Sequence, residues 1–228
     1  MILDTGSSKC WLPTEACADE ECVNDKYLSG DSNTFVDGGT EATLTYGSGS
    51  VTGTWDTDRV CLTSGSDKCS VDTFKFMGVT TATGMTGLRA SGLCGMKPDL
   101  GDSDTYQLVP KLKANGAIDK SQFTMHLRDE GTDSWIEFGS TSDDEKYSWT
   151  DLTSNPTLWS TMLRDTNSGS TVSGAIWDSG TSNTYIPETD LDSLVDWLNG
   201  ELSSDCEIVD YVVECPCSSS TDIDSHFP

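Results

Sequence analysis

The chain has 228 residues, of which 13 are Lys or Arg and 38 are Asp or Glu, a formal charge of −25 at pH 7. Such a carboxylate excess excludes a phosphate-binding surface, and with it a nucleic-acid partner. At 35% hydrophobic and 22% charged the chain can build a core, as one large domain or two lobes. No apolar run reaches the length of a membrane span, and no signal-peptide pattern opens the sequence.

Gly, Ser, Thr and Asp recur between short apolar runs, the pattern of many short strands joined by turns, so the fold class is mostly β. Residues 41–46 and 51–60 alternate about Gly47-Ser48-Gly49 and predict a hairpin with a Gly-rich tip. Cys61 and Cys69 then enclose a polar loop. Residues 108–115 read as a short helix ended by Gly116. Residues 135–138 read as a strand, and the acidic, Ser/Thr-rich stretch 140–145 after it places a lobe boundary near Thr141, dividing residues 1–141 from 142–228. A second helix covers residues 191–202, where Leu191, Leu194, Val195 and Leu198 follow the i, i+3, i+4, i+7 pattern and Thr189 with Asp192 offers a capping box.

Nine cysteines against two histidines, His126 and His226, favour disulfides in an oxidising compartment over a zinc site. The odd count leaves one thiol free or paired outside this sequence. Self-repulsion at −25 is relieved when carboxylates take up protons, which suits acidic surroundings. Asp99, Asp102 and Asp104 lack the remaining spaced ligands of a calcium loop and read as a solvated loop. Neither a metal nor a cofactor is expected.

One distant internal echo carries chemistry. Ile2-Leu3-Asp4-Thr5-Gly6-Ser7-Ser8 and Ile176-Trp177-Asp178-Ser179-Gly180-Thr181-Ser182 share the order apolar, apolar, Asp, hydroxyl, Gly, hydroxyl, Ser. An Asp leaving a hydrophobic strand before a Gly can accept bonds from backbone amides and nearby hydroxyls. Alone, either copy is an ordinary Asx turn in a β protein. Two copies can face each other, and like charges a hydrogen bond apart cannot both ionise, so one carboxyl becomes a general base and its partner a general acid.

In Asp4-Thr5-Gly6-Ser7-Ser8, Trp11-Leu12-Pro13, Tyr46-Gly47-Ser48-Gly49-Ser50-Val51-Thr52-Gly53, Leu93-Cys94-Gly95 and Asp178-Ser179-Gly180-Thr181-Ser182, in that order, the chain resembles the pepsin-like aspartic proteases. Acid-protease dyads are the standing example of the split proton affinity just described. The resemblance implies a bilobal β fold with an incomplete second lobe, a catalytic Asp from each lobe (Asp4 and Asp178), and a flap over a peptide-binding cleft. It implies that Ser7 and Thr181 bond the outer carboxylate oxygens. Thr5 and Ser179 would cross between the motifs, and Gly6 and Gly180 would complete the loops. Tyr46, with Gly47 and Ser48 in the flap, would wall the substrate pocket, the Tyr46 hydroxyl reaching the Trp11 indole N–H. It further implies Cys17–Cys22 and, with Cys61–Cys69, a Cys10–Cys94 pairing. Cys215 would then find its partner beyond Pro228, which leaves Cys206 with Cys217.

The implied activity is endopeptidase cleavage of polypeptides at acidic pH by a monomer, secreted or in a lysosome-like or digestive vacuole. Departures from the family pattern are Ser91 in place of an Asp, Lys9 in place of an Asn, expected to be solvated, and Trp177 at a smaller residue's place on a buried strand. Met1 stands only three positions before Asp4, and residues 179–228 are short for a second lobe, so the sequence is expected to be a fragment. Two rivals from other classes are a protease-like secreted binding protein without catalysis and a disulfide-rich acidic adhesion module. Nucleophile-elbow, P-loop and H-E-x-x-H motifs are absent.

Overall fold

Short apolar strands separated by Gly, Asp and Ser turns build most of this protein. The computed structural model describes residues 1–18, 20–22, 24–63, 65–98, 106–128, 134–140, 149–154, 157–164, 171–202 and 205–216, in two compact units, Met1–Thr181 and Ser182–Pro228. Asp99, Asp102, Asp104, Thr141 and Cys217 lie outside the described residues, so the calcium reading, the lobe boundary and the Cys217 pairing fall there.

In the first unit β1 (Ile2–Asp4), β2 (Cys10–Pro13), β3 (Val36–Thr45), β4 (Ser50–Asp58), β5 (Phe74–Thr83) and β6 (Leu93–Gly95) form one sheet in the order β1-β6-β2-β5-β4-β3. The central strand β5 is apolar along most of its length, with Phe74, Phe76, Met77 and Val79 buried, as a strand covered on both faces must be. Its neighbours β4 and β3 make the long hairpin expected from residues 41–60. The first arm starts earlier, at Val36, because the ladder resumes beyond an irregularity between Val36 and Thr40.

The two sheet faces bury separate cores. On one, α1 (Leu108–Ala114) lays Leu108, Val109 and Leu112 onto Cys10, Phe74, Phe76 and Cys94. The helix stops where Gly116 turns left-handed at φ +69°, a conformation that costs glycine little. On the other face Trp11, Val51, Met77, Val79 and Leu93 pack together. Leu112 is fully buried, so Leu112→Ala would cost about 2 to 5 kcal/mol.

Two antiparallel pairs follow: β7 (Phe123–His126) with β8 (Trp135–Phe138), and β9 (Ser160–Arg164) with β10 (Thr171–Ile176). Disulfides join Cys10 to Cys94, Cys17 to Cys22, and Cys61 to Cys69. The first clamps β2 to β6 at a directly opposed pair of residues.

Within the second unit α2 (Leu191–Leu202) turns Leu191, Leu194, Val195 and Leu198 inward, Leu198 fully so. The expected capping box is not formed. A 3₁₀ turn over Glu188–Asp190 runs into the helix, so Thr189 sits in helical backbone and donates to Asp190 Oδ1 instead. A hairpin of β11 (Glu207–Val209) and β12 (Val212–Glu214) reverses at Asp210 and Tyr211, both with positive φ, as the twist of a two-residue turn requires. Its register pairs Glu207 with Glu214 and so brings the flanking Cys206 and Cys215 together in a disulfide. This corrects two expectations: Cys206 is bonded to Cys215, not Cys217, and Cys215 needs no partner beyond Pro228. Asn199 fixes the hairpin to α2 by accepting from the Cys206 N–H at 2.6 Å and donating to its carbonyl at 3.1 Å.

Candidate active site

Asp4 closes β1, opposite Gly95 of the parallel strand β6, and its carbonyl accepts the Met96 N–H at 2.7 Å. A side chain at Gly95 would lie 2.5 Å from the Lys9 nitrogen, so glycine lets the loop after Asp4 pass directly over β6. That loop folds back on the carboxylate: the Gly6 N–H donates to Oδ1 at 2.9 Å and the Ser7 hydroxyl to Oδ2 at 2.5 Å. Asp178, just past β10, is cradled in the same way, by the Gly180 N–H on Oδ1 at 2.9 Å and the Thr181 hydroxyl on Oδ2 at 2.6 Å. The repeated motif is therefore a repeated structure.

The two loops are bolted to each other by four bonds. The Thr5 hydroxyl donates to the Trp177 carbonyl at 2.8 Å and accepts the Ser179 N–H at 2.8 Å. The Ser179 hydroxyl donates to the Leu3 carbonyl at 2.6 Å and accepts the Thr5 N–H at 3.1 Å. This reciprocity brings the carboxyls face to face. A Cβ at Gly6 would sit 2.5 Å from the Asp178 carboxyl, and one at Gly180 would sit 2.3 Å from Asp4 Oδ1. Neither glycine can be replaced without moving a carboxyl.

The environments of the two acids differ. Asp4 is 5% exposed, and burial is the main cause that raises its pKa above the ordinary 3.8. The bonds from Ser7 and Gly6 oppose that rise, while the neighbouring Asp178 adds to it. Asp178 is more open, and although burial again raises its pKa, bonds from Thr181, Gly180, Asp4 and Gly6 outweigh this and lower it. The two shifts run in opposite directions, upward for the more buried Asp4 and downward for the better hydrogen-bonded Asp178, so the neighbouring carboxyls differ in proton affinity.

The tip of the β3–β4 hairpin is a four-residue turn closed by the Tyr46 N–H to the Gly49 carbonyl at 2.8 Å, with Gly47 and Ser48 exposed at its apex. Tyr46 faces the same 380 Å³ pocket as Gly6 and Ser7. Its ring lies 6.4 Å from that of Trp11, tilted by 51°. The expected Tyr46–Trp11 hydrogen bond is not formed with normal geometry: among the described residues the buried Trp11 Nε1 has no hydrogen-bond partner. Burial pushes the Tyr46 phenol up to about 12, the nearby indole N–H partly opposing this and the Asp4 charge adding to it.

Two further expectations are corrected. Trp177 is not buried on a central strand; it lies past the end of β10, 60% exposed, and donates its indole N–H to Thr161 Oγ1 at 3.0 Å. Lys9 is not merely solvated: it is half-buried, with Nζ 3.4 Å from the centre of the Tyr106 ring. Sequence reasoning missed Lys97 and Trp159. Lys97 N–H holds the Ser7 carbonyl at 3.0 Å, and the Trp159 indole N–H holds the Met96 carbonyl at 2.8 Å. Only the position of Lys97, two residues after Gly95, pointed toward the site.

The family profile of eukaryotic aspartyl proteases matches residues 1–227. Vacuolar protease A of Arthroderma otae is 30% identical over 230 residues, covering 90% of this chain and 55% of that protein. Cathepsin D of Canis lupus familiaris is 29% identical, covering 92% of this chain and 58% of its own length, and cathepsin D of Dictyostelium discoideum is 30% identical, with 92% and 60% covered. The chain spans little more than half the length of these relatives. With a mostly β fold, the two Asp motifs in register and a profile match from end to end, this chain belongs to the eukaryotic aspartyl protease family.

Proposed function

We propose that the whole protein is an aspartic endopeptidase that hydrolyses polypeptides at acidic pH, with Asp4 and Asp178 as the catalytic pair. The observation that carries the reading is the reciprocal close approach of the two carboxyls, each lying where the other motif's glycine would place a side chain. Family membership supports it.

In this reading the upward shift at Asp4 and the downward shift at Asp178 support the following roles. Asp178, ionised, takes a proton from a water molecule as its oxygen attacks the scissile carbonyl carbon. Asp4, protonated, donates to the carbonyl oxygen, giving a neutral tetrahedral diol. Asp178 then passes its proton to the amide nitrogen, the C–N bond breaks, and Asp4 recovers its proton from the collapsing diol. Ser7, Thr181, Gly6 and Gly180 orient the outer carboxylate oxygens, while Thr5 and Ser179 fix the separation of the motifs. Tyr46, Gly47 and Ser48 close over the peptide, with Trp11 behind Tyr46.

The lobe division at residues 1–141 and 142–228, one catalytic Asp in each, belongs to this proposal, as does a monomeric enzyme. Disulfides and the −25 charge fit an oxidising, acidic setting, either secreted or a lysosome-like or digestive vacuole, in keeping with relatives named for the vacuole. Among the described residues no helix is long and apolar enough to cross a membrane. Cleavage of a denatured protein by the full-length protein between pH 2 and 8 tests the reading. Acid activity is expected, and its absence in folded protein would refute it.

A further inference from the structure

We propose that Trp159 is a positioning residue for the paired carboxyls, tying the segment that supports Asp4 to the segment that runs into Asp178. The inference rests on the endopeptidase reading and names a residue outside both Asp motifs on which that site depends.

Trp159 stands directly before β9 and is half-buried, its ring packed edge-on against Phe123 at 5.7 Å. Its two polar ends reach different motifs. The indole N–H donates to the Met96 carbonyl at 2.8 Å, across 63 residues of sequence. The Trp159 carbonyl accepts the Trp177 N–H at 2.9 Å, which extends the β9–β10 ladder to the residue before Asp178.

The Met96 end leads to Asp4 through one peptide group. The Met96 carbonyl and the Lys97 N–H belong to the same planar trans unit and point opposite ways. The carbonyl accepts from Trp159, and the N–H donates to the Ser7 carbonyl at 3.0 Å. The bond from Trp159 thereby fixes the plane of that peptide and polarises its N–H, which strengthens the hold on Ser7. Ser7 in turn donates its hydroxyl to Asp4 Oδ2 at 2.5 Å, and the Met96 N–H donates to the Asp4 carbonyl at 2.7 Å. Loss of the indole N–H would take a donor from the part-buried Met96 carbonyl, let the peptide tilt, and loosen Ser7 on Asp4. The backbone bond to Trp177 would survive, so the damage falls on Asp4 and spares Asp178. Trp159 does not line the pocket shared by Gly6, Ser7 and Tyr46, so it acts on the acids and not on the bound peptide.

The test compares the full-length wild type with Trp159→Phe and with a protein carrying benzothienylalanine in place of Trp159, which keeps the bicyclic ring and puts sulfur where the N–H was. In both, kcat for one cleaved peptide should fall about tenfold with KM within about twofold. The Ser7 bond lowers the Asp4 pKa, so loosening it raises that pKa, and the alkaline limb of the pH–kcat profile should move up by about half a pH unit while the acid limb stays. Among the described residues Asp178 and Tyr46 are the other titratable groups that interact with Asp4, and both are retained. In a Ser7→Ala background the same replacement should cost less than about twofold in kcat. Phe123→Leu removes the ring contact alone and should leave the limb in place. An unmoved alkaline limb in the benzothienyl protein, an equal shift in Phe123→Leu, or a tenfold loss that persists in Ser7→Ala would overturn the proposal. If the folded wild type cleaves nothing, the endopeptidase reading falls, and the carboxyl carbon NMR signal that Asp4→Asn removes reports the positioning by itself. A titration of that signal shifted upward in the benzothienyl protein supports the role of Trp159, and an unshifted one overturns it.

Discussion

Thr5 offers the most direct measure of how the paired motifs are held together. Its hydroxyl makes two of the four crossing bonds, to the Trp177 carbonyl and from the Ser179 N–H, both at 2.8 Å, and Thr5 itself is 8% exposed. Thr5→Val keeps the shape and removes both bonds. At about 1 kcal/mol for each bond the loss is about 2 kcal/mol. Little is added for the stranded partners, because Ser179 and Trp177 are open enough for water to reach them. That free energy corresponds to a drop of about 1 M in the urea midpoint for a protein of this size. Thr5→Ser retains the hydroxyl and should remain within about 0.5 kcal/mol of the wild type. The assay is urea unfolding of the full-length protein at pH 5 under non-reducing conditions, followed by tryptophan fluorescence. A Thr5→Val midpoint indistinguishable from that of the wild type, or an equal loss in Thr5→Ser, would show that these bonds do not hold the motifs together.

Gly180→Ala would drive a methyl group to 2.3 Å from Asp4 Oδ1, so kcat should fall by about 100-fold with the far-UV circular dichroism unchanged; activity near that of the wild type would contradict the packed geometry. Because the Asp4 pKa is raised, its contribution to stability is present below its ordinary 3.8 and lost as pH rises through the folded value. Asp4→Asn should therefore raise the urea midpoint at pH 7 and change it little at pH 3, and a lower midpoint at pH 7 would reverse the sign assigned to Asp4. Non-reduced peptide mapping should recover Cys206 linked to Cys215; a Cys206–Cys217 peptide would overturn the hairpin register.

The carboxyl cradles were legible because they are local. Asp, Gly and a hydroxyl residue within four positions can close on one another wherever the chain turns, and both copies do so. The hairpin was legible from its alternation and Gly-rich tip, and the extent of the helices from their apolar stripe and from Gly116. What the sequence hid was long-range or geometric. Lys9 read as a solvated lysine because nothing nearby in the chain announces Tyr106, and only the fold brings that ring beneath it. Trp177 read as buried because an apolar pair precedes each Asp, yet in the second copy the strand ends at Ile176 and both residues are exposed. The Cys206–Cys215 pairing depended on a two-residue turn at Asp210 and Tyr211, a pair that lacks the usual Gly and gave no turn signal.

The central claim is that two carboxyls, sharing a proton, activate water for peptide hydrolysis. Its most direct measurement is the pH profile of protein cleavage by the full-length wild type, Asp4→Asn and Asp178→Asn, each shown to be folded. The expected result is acid activity in the wild type that is lost in both variants. Activity that survives either substitution, or none in the folded wild type, would contradict it.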